Sequence, residues 1–309
     1  MAGGGDKIEL QADRATPVAA GDIFVIGNDT IQPADMRAGL RGHGRVLHCD
    51  GDLKVKAALR TNDLGLLIGL AISPRGELFV SCPQNSSLGA FDTAGQPVAV
   101  KFPPRRRYGN FGFDRQGRAL LGVHSAHGEQ FAPDGHGDGK LVRFDPQSGA
   151  FEFFDVEIDG GRGGKHYVSN FALAPDGETV FYVSEAGRRV LRYHLGERRQ
   201  LPDFLYIPED EGGTYGLGVA SDGRVIIAKG ISAALYAPDA KLIRNYDVSS
   251  EKGWTRAQFR RDESQFFISN FLDGVLEVRA VETGALLSRL DIGLKGALTS
   301  VAEYPLGLG

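Results

Sequence analysis

The sequence predicts an all-β fold: a six-bladed β-propeller with one blade closed by N- and C-terminal strands. Three observations predict it. A phrase of turn residue, apolar alternating run, Pro or Asp, Gly turn and second apolar run recurs along the chain. Hydrophobic periodicity stays near two, with no lasting helical stripe. The two chain ends carry strands that complete one shared blade.

The phrase reads Gly69-Leu-Ala-Ile-Ser-Pro-Arg-Gly-Glu-Leu-Phe-Val. It returns from Asn110, from Asn170 and from Tyr215, and a degraded copy runs from Arg256 to Phe267. One such unit cannot bury its own apolar face, so it must stack on copies of itself. Each unit continues into a third strand: Leu88–Asp92, Leu141–Asp145, Val190–His194, Ala234–Pro238 and Val275–Arg279. A polar turn and a fourth strand follow, as in Ala150–Phe154 and Ala285–Leu290. Four short strands repeated at roughly 40 to 60 residues describe propeller blades.

The sixth inner strand is Leu298-Thr-Ser-Val-Ala-Glu-Tyr-Pro, after which the sequence stops. Its partners are supplied by Asp22–Gly27, Arg45–Asp50 and Leu53–Leu59. Closing the ring in this way hides sheet edges that would otherwise expose unpaired backbone. Residues 1–309 therefore read as a single propeller domain, with 1–20 as an N-terminal arm or edge strand.

Composition narrows the function. With 42% hydrophobic and 24% charged residues among 309, the chain can bury a real core. A net charge of -4 gives no electrostatic case for nucleic acid or an anionic membrane. The densest basic spot, Arg105-Arg-Arg, reads as a solvated loop. Cys49 and Cys82 alone make no disulfide framework. No apolar run approaches the roughly 18 residues of a membrane span. Met1-Ala-Gly-Gly-Gly-Asp lacks the pattern of a signal peptide. The expectation is a cytoplasmic protein, a monomer or weak homo-oligomer, with a small-molecule partner and no organic cofactor.

Propeller geometry sorts the loops. The start of each inner strand and the loop joining strands two and three share one face, here called the top. The long segments fall there: 28–44, 124–139 and 160–170. So do His43, His124, His127, His136 and His166, whereas His48 and His194 sit in third strands. Imidazole is both a metal ligand and a proton carrier near neutral pH. His124, His127 and His166 are a candidate set for a borderline metal such as Zn²⁺, with Glu129 or Asp138 adding oxygen. Surface histidines bonded into polar loops are the plainer alternative.

A second constellation marks the inner-strand starts: Asn110, Asn170, Tyr215, Arg256 and Thr299. An amide carbonyl there can hold Ca²⁺ or orient a substrate, or simply satisfy the next blade's backbone. Candidate catalytic groups are His124, His166, Glu185 and Arg256. Candidate substrate-binding residues are Asn110, Tyr108, Tyr167, Tyr215, Asn270 and Trp254, and the metal candidates add Asn170 to the three histidines. Asp273 faces the top beside Asn270.

The stretch from Ser169-Asn-Phe-Ala-Leu-Ala-Pro-Asp-Gly-Glu-Thr-Val-Phe-Tyr-Val-Ser-Glu to Tyr193 resembles the central motif of the gluconolactonase, or senescence-marker-protein, superfamily. Strictosidine-synthase-like and NHL-type propellers share its general form. The resemblance implies a six-bladed fold and a divalent ion, often Ca²⁺, in the axial channel that polarises a lactone or ester carbonyl. Asn170 matches that family's Asn ligand. Tyr215 stands where its Asp ligand belongs, and Ile68-Gly69 and Thr299-Ser300 stand where its Glu belongs. Gly109-Asn110-Phe111 keeps one amide of a further position. Without two carboxylates the charge is too small for tight Ca²⁺ binding. The leading expectation is a metal-assisted lactone or ester hydrolase in the top-face central channel. The alternatives are a histidine-metal or metal-free lyase or cyclase, with Glu185 or Asp273 moving protons, and a non-catalytic binding propeller.

Overall fold

The computed structural model describes residues 8–29, 42–124, 140–159, 167–248 and 252–305. Among these there are 24 strands, one short 3-10 turn at Glu209–Glu211 and no α-helix. Among the described residues no helix is long and apolar enough to cross a membrane. The strands form six sheets, the blades of one propeller.

Blade 1 contains β1 (Leu10–Ala12), β2 (Ile23–Gly27), β3 (His43–Cys49) and β4 (Val55–Leu64). Blade 2 follows as β5 (Gly69–Ile72), β6 (Leu78–Cys82) and β7 (Ser87–Phe91). Blade 3 is β8 (Tyr108–Phe113), β9 (Ala119–Val123), β10 (Leu141–Phe144) and β11 (Phe151–Phe154). Blade 4 is β12 (Asn170–Leu173), β13 (Thr179–Val183), β14 (Arg189–His194) and β15 (Arg199–Tyr206). Blade 5 is β16 (Gly216–Val219), β17 (Val225–Ala228), β18 (Ala233–Tyr236) and β19 (Leu242–Tyr246). Blade 6 is β20 (Trp254–Phe259), β21 (Gln265–Asn270), β22 (Val275–Ala280) and β23 (Leu286–Asp291). The last strand, β24 (Leu298–Glu303), returns to blade 1 and pairs antiparallel with β2. The sheet order β1-β4-β3-β2-β24 is thus built from both chain ends, with β1 on its outer edge.

Blade 2 departs from the four-strand expectation and has three strands among the described residues. Beyond β7 only Phe91 and Pro97 bridge. Pro97, Pro103 and Pro104 lack the N–H that a continuing ladder needs.

The repeated phrase is the first hairpin of each blade. Its turn glycines Gly76, Gly117, Gly177 and Gly223 all have φ between 74° and 86°. That region favours a residue without Cβ. In the degraded copy Glu263 takes the left-handed position at φ 55°. Its carboxylate accepts hydrogen bonds from Ser221 N–H at 2.7 Å and Ser221 Oγ at 2.7 Å, linking the bottom turns of blades 5 and 6.

The core consists of six apolar layers, one between each pair of neighbouring blades. Phe24 and Leu78 meet between blades 1 and 2, and Ile23 and Phe267 between blades 1 and 6. A wholly buried Phe such as Phe24 contributes roughly 1.5–3 kcal/mol by leaving water. Near the axis the blades approach more closely than side chains allow. A Cβ on Gly216 would stand 2.5 Å from Thr255 O and 2.8 Å from the Arg256 Cα, so glycine is needed where blade 5 meets blade 6.

The closing blade also carries an ionic anchor. Asp22, at the start of β2, is buried and accepts from His48 Nε2 at 2.7 Å, Lys56 Nζ at 2.7 Å and Ala19 N–H at 2.8 Å. Burial alone would raise its pKa, but bonds from Lys56, Ala19 and His48 outweigh it and hold the carboxyl below its ordinary value. A lowered carboxylate stabilises the fold above its unfolded pKa of about 3.9, and that stability is lost as pH falls through the folded value. Asp22→Asn is therefore expected to cost about 1–3 kcal/mol at pH 7. The cost should shrink between pH 4 and pH 3, in the range set by an unfolded pKa of about 3.9. Thermal melts of both proteins across that range check it; an equal gap at every pH contradicts it.

Cys49 and Cys82 are both buried free thiols. Burial, with Asp50 and Asp22 nearby, pushes the Cys49 thiol up to about 12, so it is not a nucleophile.

Candidate functional site

The inner strands start with irregular pairing. In β20, Trp254 and Arg256 oppose Asn270 and Ser269, which are consecutive, so Thr255 is bulged out. In β24, Leu298 and Ser300 oppose the consecutive Gly27 and Ile26. In β8, Tyr108 and Phe111 oppose Val123 and Leu121, so one residue near Asn110 is extra. Such bulges re-aim side chains at the ends of strands.

The re-aimed groups build a belt around the axis. Thr299 Oγ1 donates to Leu67 O at 2.8 Å, joining blades 1 and 2. Ser81 Oγ donates to Gly109 O, joining blades 2 and 3. Asn110 Nδ2 donates to Ser169 O, joining blades 3 and 4. Asn170 Oδ1 accepts Leu217 N–H at 2.8 Å, joining blades 4 and 5. Gly230 and Trp254 bridge blades 5 and 6 through backbone. Arg256 Nε donates to Thr299 O at 2.8 Å, joining blades 6 and 1. Its Nη2 crosses the axis to Asn110 Oδ1, on the blade opposite.

This belt bears on the expected axial metal. A divalent ion needs several free oxygens, preferably carboxylates. Asn110 Oδ1 and Asn170 Oδ1 are each engaged, and a guanidinium lies where positive charge would have to enter. The axial donor set does not fit Ca²⁺. Asn170 and Asn110 tie blades together, and Arg256 spans the axis.

Three other candidates do come together, in the top-face loops of blades 3 and 4. His124 follows β9, and its ring lies 4.2 Å from that of Tyr167, tilted by 33°. The Tyr167 hydroxyl donates to Glu185 Oε2. Tyr167 is buried, and burial beside the Glu185 carboxylate pushes its phenol well above the ordinary range. It stays protonated and acts as a fixed donor that orients Glu185. Glu185 stands in the loop between β13 and β14 and lines a top-face cavity of about 520 Å³. That cavity spans the loops of blades 4, 5 and 6, with Tyr215 on its wall.

The remaining candidates are buried or bonded into the fold. Tyr108 is wholly buried, with its hydroxyl on Pro104 O at 2.7 Å. Trp254 is wholly buried among Ile226, Leu235 and Phe266, so it packs rather than faces the cavity. Asn270 is also buried. Its amide donates to Lys252 O at 2.9 Å and to Asp273 Oδ2 at 3.2 Å, and its oxygen accepts Asp273 N–H at 3.0 Å. It therefore fixes the loop that carries Lys252 and Gly253 into the cavity wall. His127, His136 and His166 lie outside the described residues, as do Glu129 and Asp138. Among the described residues no group of three or more metal-ligating side chains forms.

Sequence reasoning missed Lys229. It is almost wholly buried on the cavity wall, and its Nζ bonds Glu211 Oε2 at 2.7 Å. Its signal was the pair Lys229-Gly230 just after a strand, opposite the acidic run Glu209-Asp-Glu in the loop before β16. Glu209, Asp210 and Lys252 complete the charged lining. The cavity thus offers a carboxylate held by a phenol and a buried ammonium, within apolar patches from Ile231, Phe271 and Leu272.

No protein-family model and no curated protein sequence matches this chain. Solved structures do. A structure of a nidogen/laminin complex aligns with a TM-score of 0.64 at 10% identity, covering 92% of this chain and 98% of the other. A gluconolactonase from Xanthomonas campestris aligns with a TM-score of 0.56 at 12% identity, covering 84% of this chain and 96% of its own. A virginiamycin B lyase from Staphylococcus aureus aligns with a TM-score of 0.52 at 9% identity, covering 79% and 86% respectively. At such identities the likeness establishes the architecture alone, and that architecture is the six-bladed β-propeller.

Proposed function

We propose that this propeller is an enzyme acting on a small molecule at the top-face cavity, hydrolysing a lactone or ester with Glu185 as its base. The observation that carries the reading is the hydrogen bond from the buried Tyr167 phenol to Glu185, whose residue lines the cavity. A carboxylate so placed can take a proton from water as that water attacks the carbonyl carbon. The Lys229 ammonium on the same wall would stabilise the developing oxyanion. The proton held by Glu185 then passes to the departing alkoxide oxygen, which leaves Glu185 ionised again. Gluconolactonase and lyase neighbours on this fold support an enzyme reading.

The expected divalent metal becomes a separate addition. His124 packs against Tyr167, and metal content of the purified protein, compared with His124→Ala, tests whether it is a ligand. The expectations of a cytoplasmic location and of a monomer or weak homo-oligomer carry over into this reading; cell fractionation and light scattering test them. The nidogen/laminin likeness favours a second reading, a propeller whose top face receives a protein. A turnover screen over neutral lactones and esters decides between the two. Hydrolysis of at least one member supports the enzyme, whereas none across the panel favours the binding module.

A further inference from the structure

The axial channel below Arg256 is a second cavity, and it shares no lining residue with the first. It measures about 400 Å³, within the range of small-ligand sites. The belt closes its top, and its wall reaches the bottom turn at Arg260, Arg261 and Glu263.

Its charge is unbalanced. The lining carries three guanidinium groups and two carboxylates. Both carboxylates are already used. Glu303 accepts from Arg260 at 2.6 Å and from Arg261 N–H at 2.9 Å, and Glu263 accepts from Ser221. Arg256 is bonded only to neutral acceptors, a backbone carbonyl and an amide oxygen. Its Nη1 meets no acceptor among the described residues. Desolvation pulls the guanidinium down to about 10 with no acid opposing it, so it is charged at neutral pH. Arg256 is partly buried and faces the channel without an acid partner, and a bidentate oxyanion is the natural partner of a guanidinium. Below Arg256 the wall is mostly polar, with Gln258 and the charged groups above, and carries small aliphatic patches from Ile72, Ala172, Val219 and Val301.

The geometry points to an organic-acid site: the axial channel binds a small carboxylate, its acid group on Arg256 and its short body against the patches from Ile72, Ala172, Val219 and Val301, admitted past Arg261 at the bottom. Inorganic phosphate shares the oxyanion chemistry and lacks that body. The site is independent of Glu185 and stands or falls apart from the reaction proposed above.

The test is calorimetric binding of butyrate and of phosphate to the full chain, at constant ionic strength in chloride. Saturable binding of butyrate, at one per chain, is expected. It should be lost in Arg256→Gln, several-fold weaker in Arg261→Gln and unchanged in Glu185→Gln. Tighter phosphate than butyrate would overturn the organic-acid assignment and leave a plain anion site. Absence of saturable binding, or equal binding in Arg256→Gln, would overturn the site itself. A melting temperature raised by phosphate equally in wild type and Arg256→Gln is general salt stabilisation and also counts against it. Should Arg256→Gln fail to fold because the belt is cut, Arg261→Gln decides alone. That side chain is exposed, and unchanged affinity there contradicts the proposal.

Discussion

Glu185→Gln is expected to lower kcat/KM for a hydrolysed lactone or ester by about 10²–10⁴-fold, the usual range for removing a general base. The substitution keeps the size of the side chain and removes only its ability to accept a proton. The hydroxyl of Tyr167 still has an oxygen to bond, so the wall of the cavity keeps its shape. KM should therefore change little, and the loss should fall in kcat. Tyr167→Phe separates positioning from proton transfer. It removes the hydrogen bond that favours ionised Glu185, so the acidic limb of the rate profile moves to higher pH. A merely structural role for Tyr167 would lower activity without moving that limb. Stopped-time assays from acid to neutral pH on the three proteins check both points; full activity in Glu185→Gln contradicts the assignment.

Trp254→Ala is expected to destabilise the protein by about 3–5 kcal/mol, as large-to-small changes in packed cores do. The indole is wholly buried between blades 5 and 6, against Ile226, Leu235 and Phe266. Its backbone bridges Gly230, and its chain neighbours Gly253 and Thr255 line the cavity. The variant should thus lose melting temperature on the order of 10 °C and bind substrate less well. Trp254→Phe, which keeps an aromatic ring, should recover most of both. Because Trp254 is the single tryptophan, its fluorescence in the wild type should also respond when the cavity fills. Differential scanning calorimetry gives the stability; a wild-type melting temperature in Trp254→Ala would show that the site relaxes freely and would contradict this packing.

The ring was legible in the sequence because each hairpin carries its own period-two pattern and its own turn glycine. Gly76, Gly117, Gly177 and Gly223 mark four first hairpins, and the left-handed Glu263 explains why the fifth looked degraded. Closure by β24 followed from counting strands at the two ends. The site was legible only in part. His124, Tyr167 and Glu185 were each named, but their contact depends on how blades 3 and 4 lean together. The bulge at Thr255 was invisible: period-two alternation puts Trp254 and Arg256 on one side, whereas the extra residue sends one into the core and the other across the axis. Lys229 was missed because its partner Glu211 is 18 residues away, on another loop. The axial asparagines matched a metal-binding motif, yet a motif does not reveal that each amide oxygen is already engaged.

The proposed function rests on chemistry in the top-face cavity, against Glu185. Its most direct test is a crystal structure with the uncleavable lactam counterpart of the best lactone substrate. The lactam is expected in the top-face cavity, its carbonyl towards Glu185 and Lys229. A lactam seated in the axial channel below Arg256, or on another face of the propeller, would contradict the account.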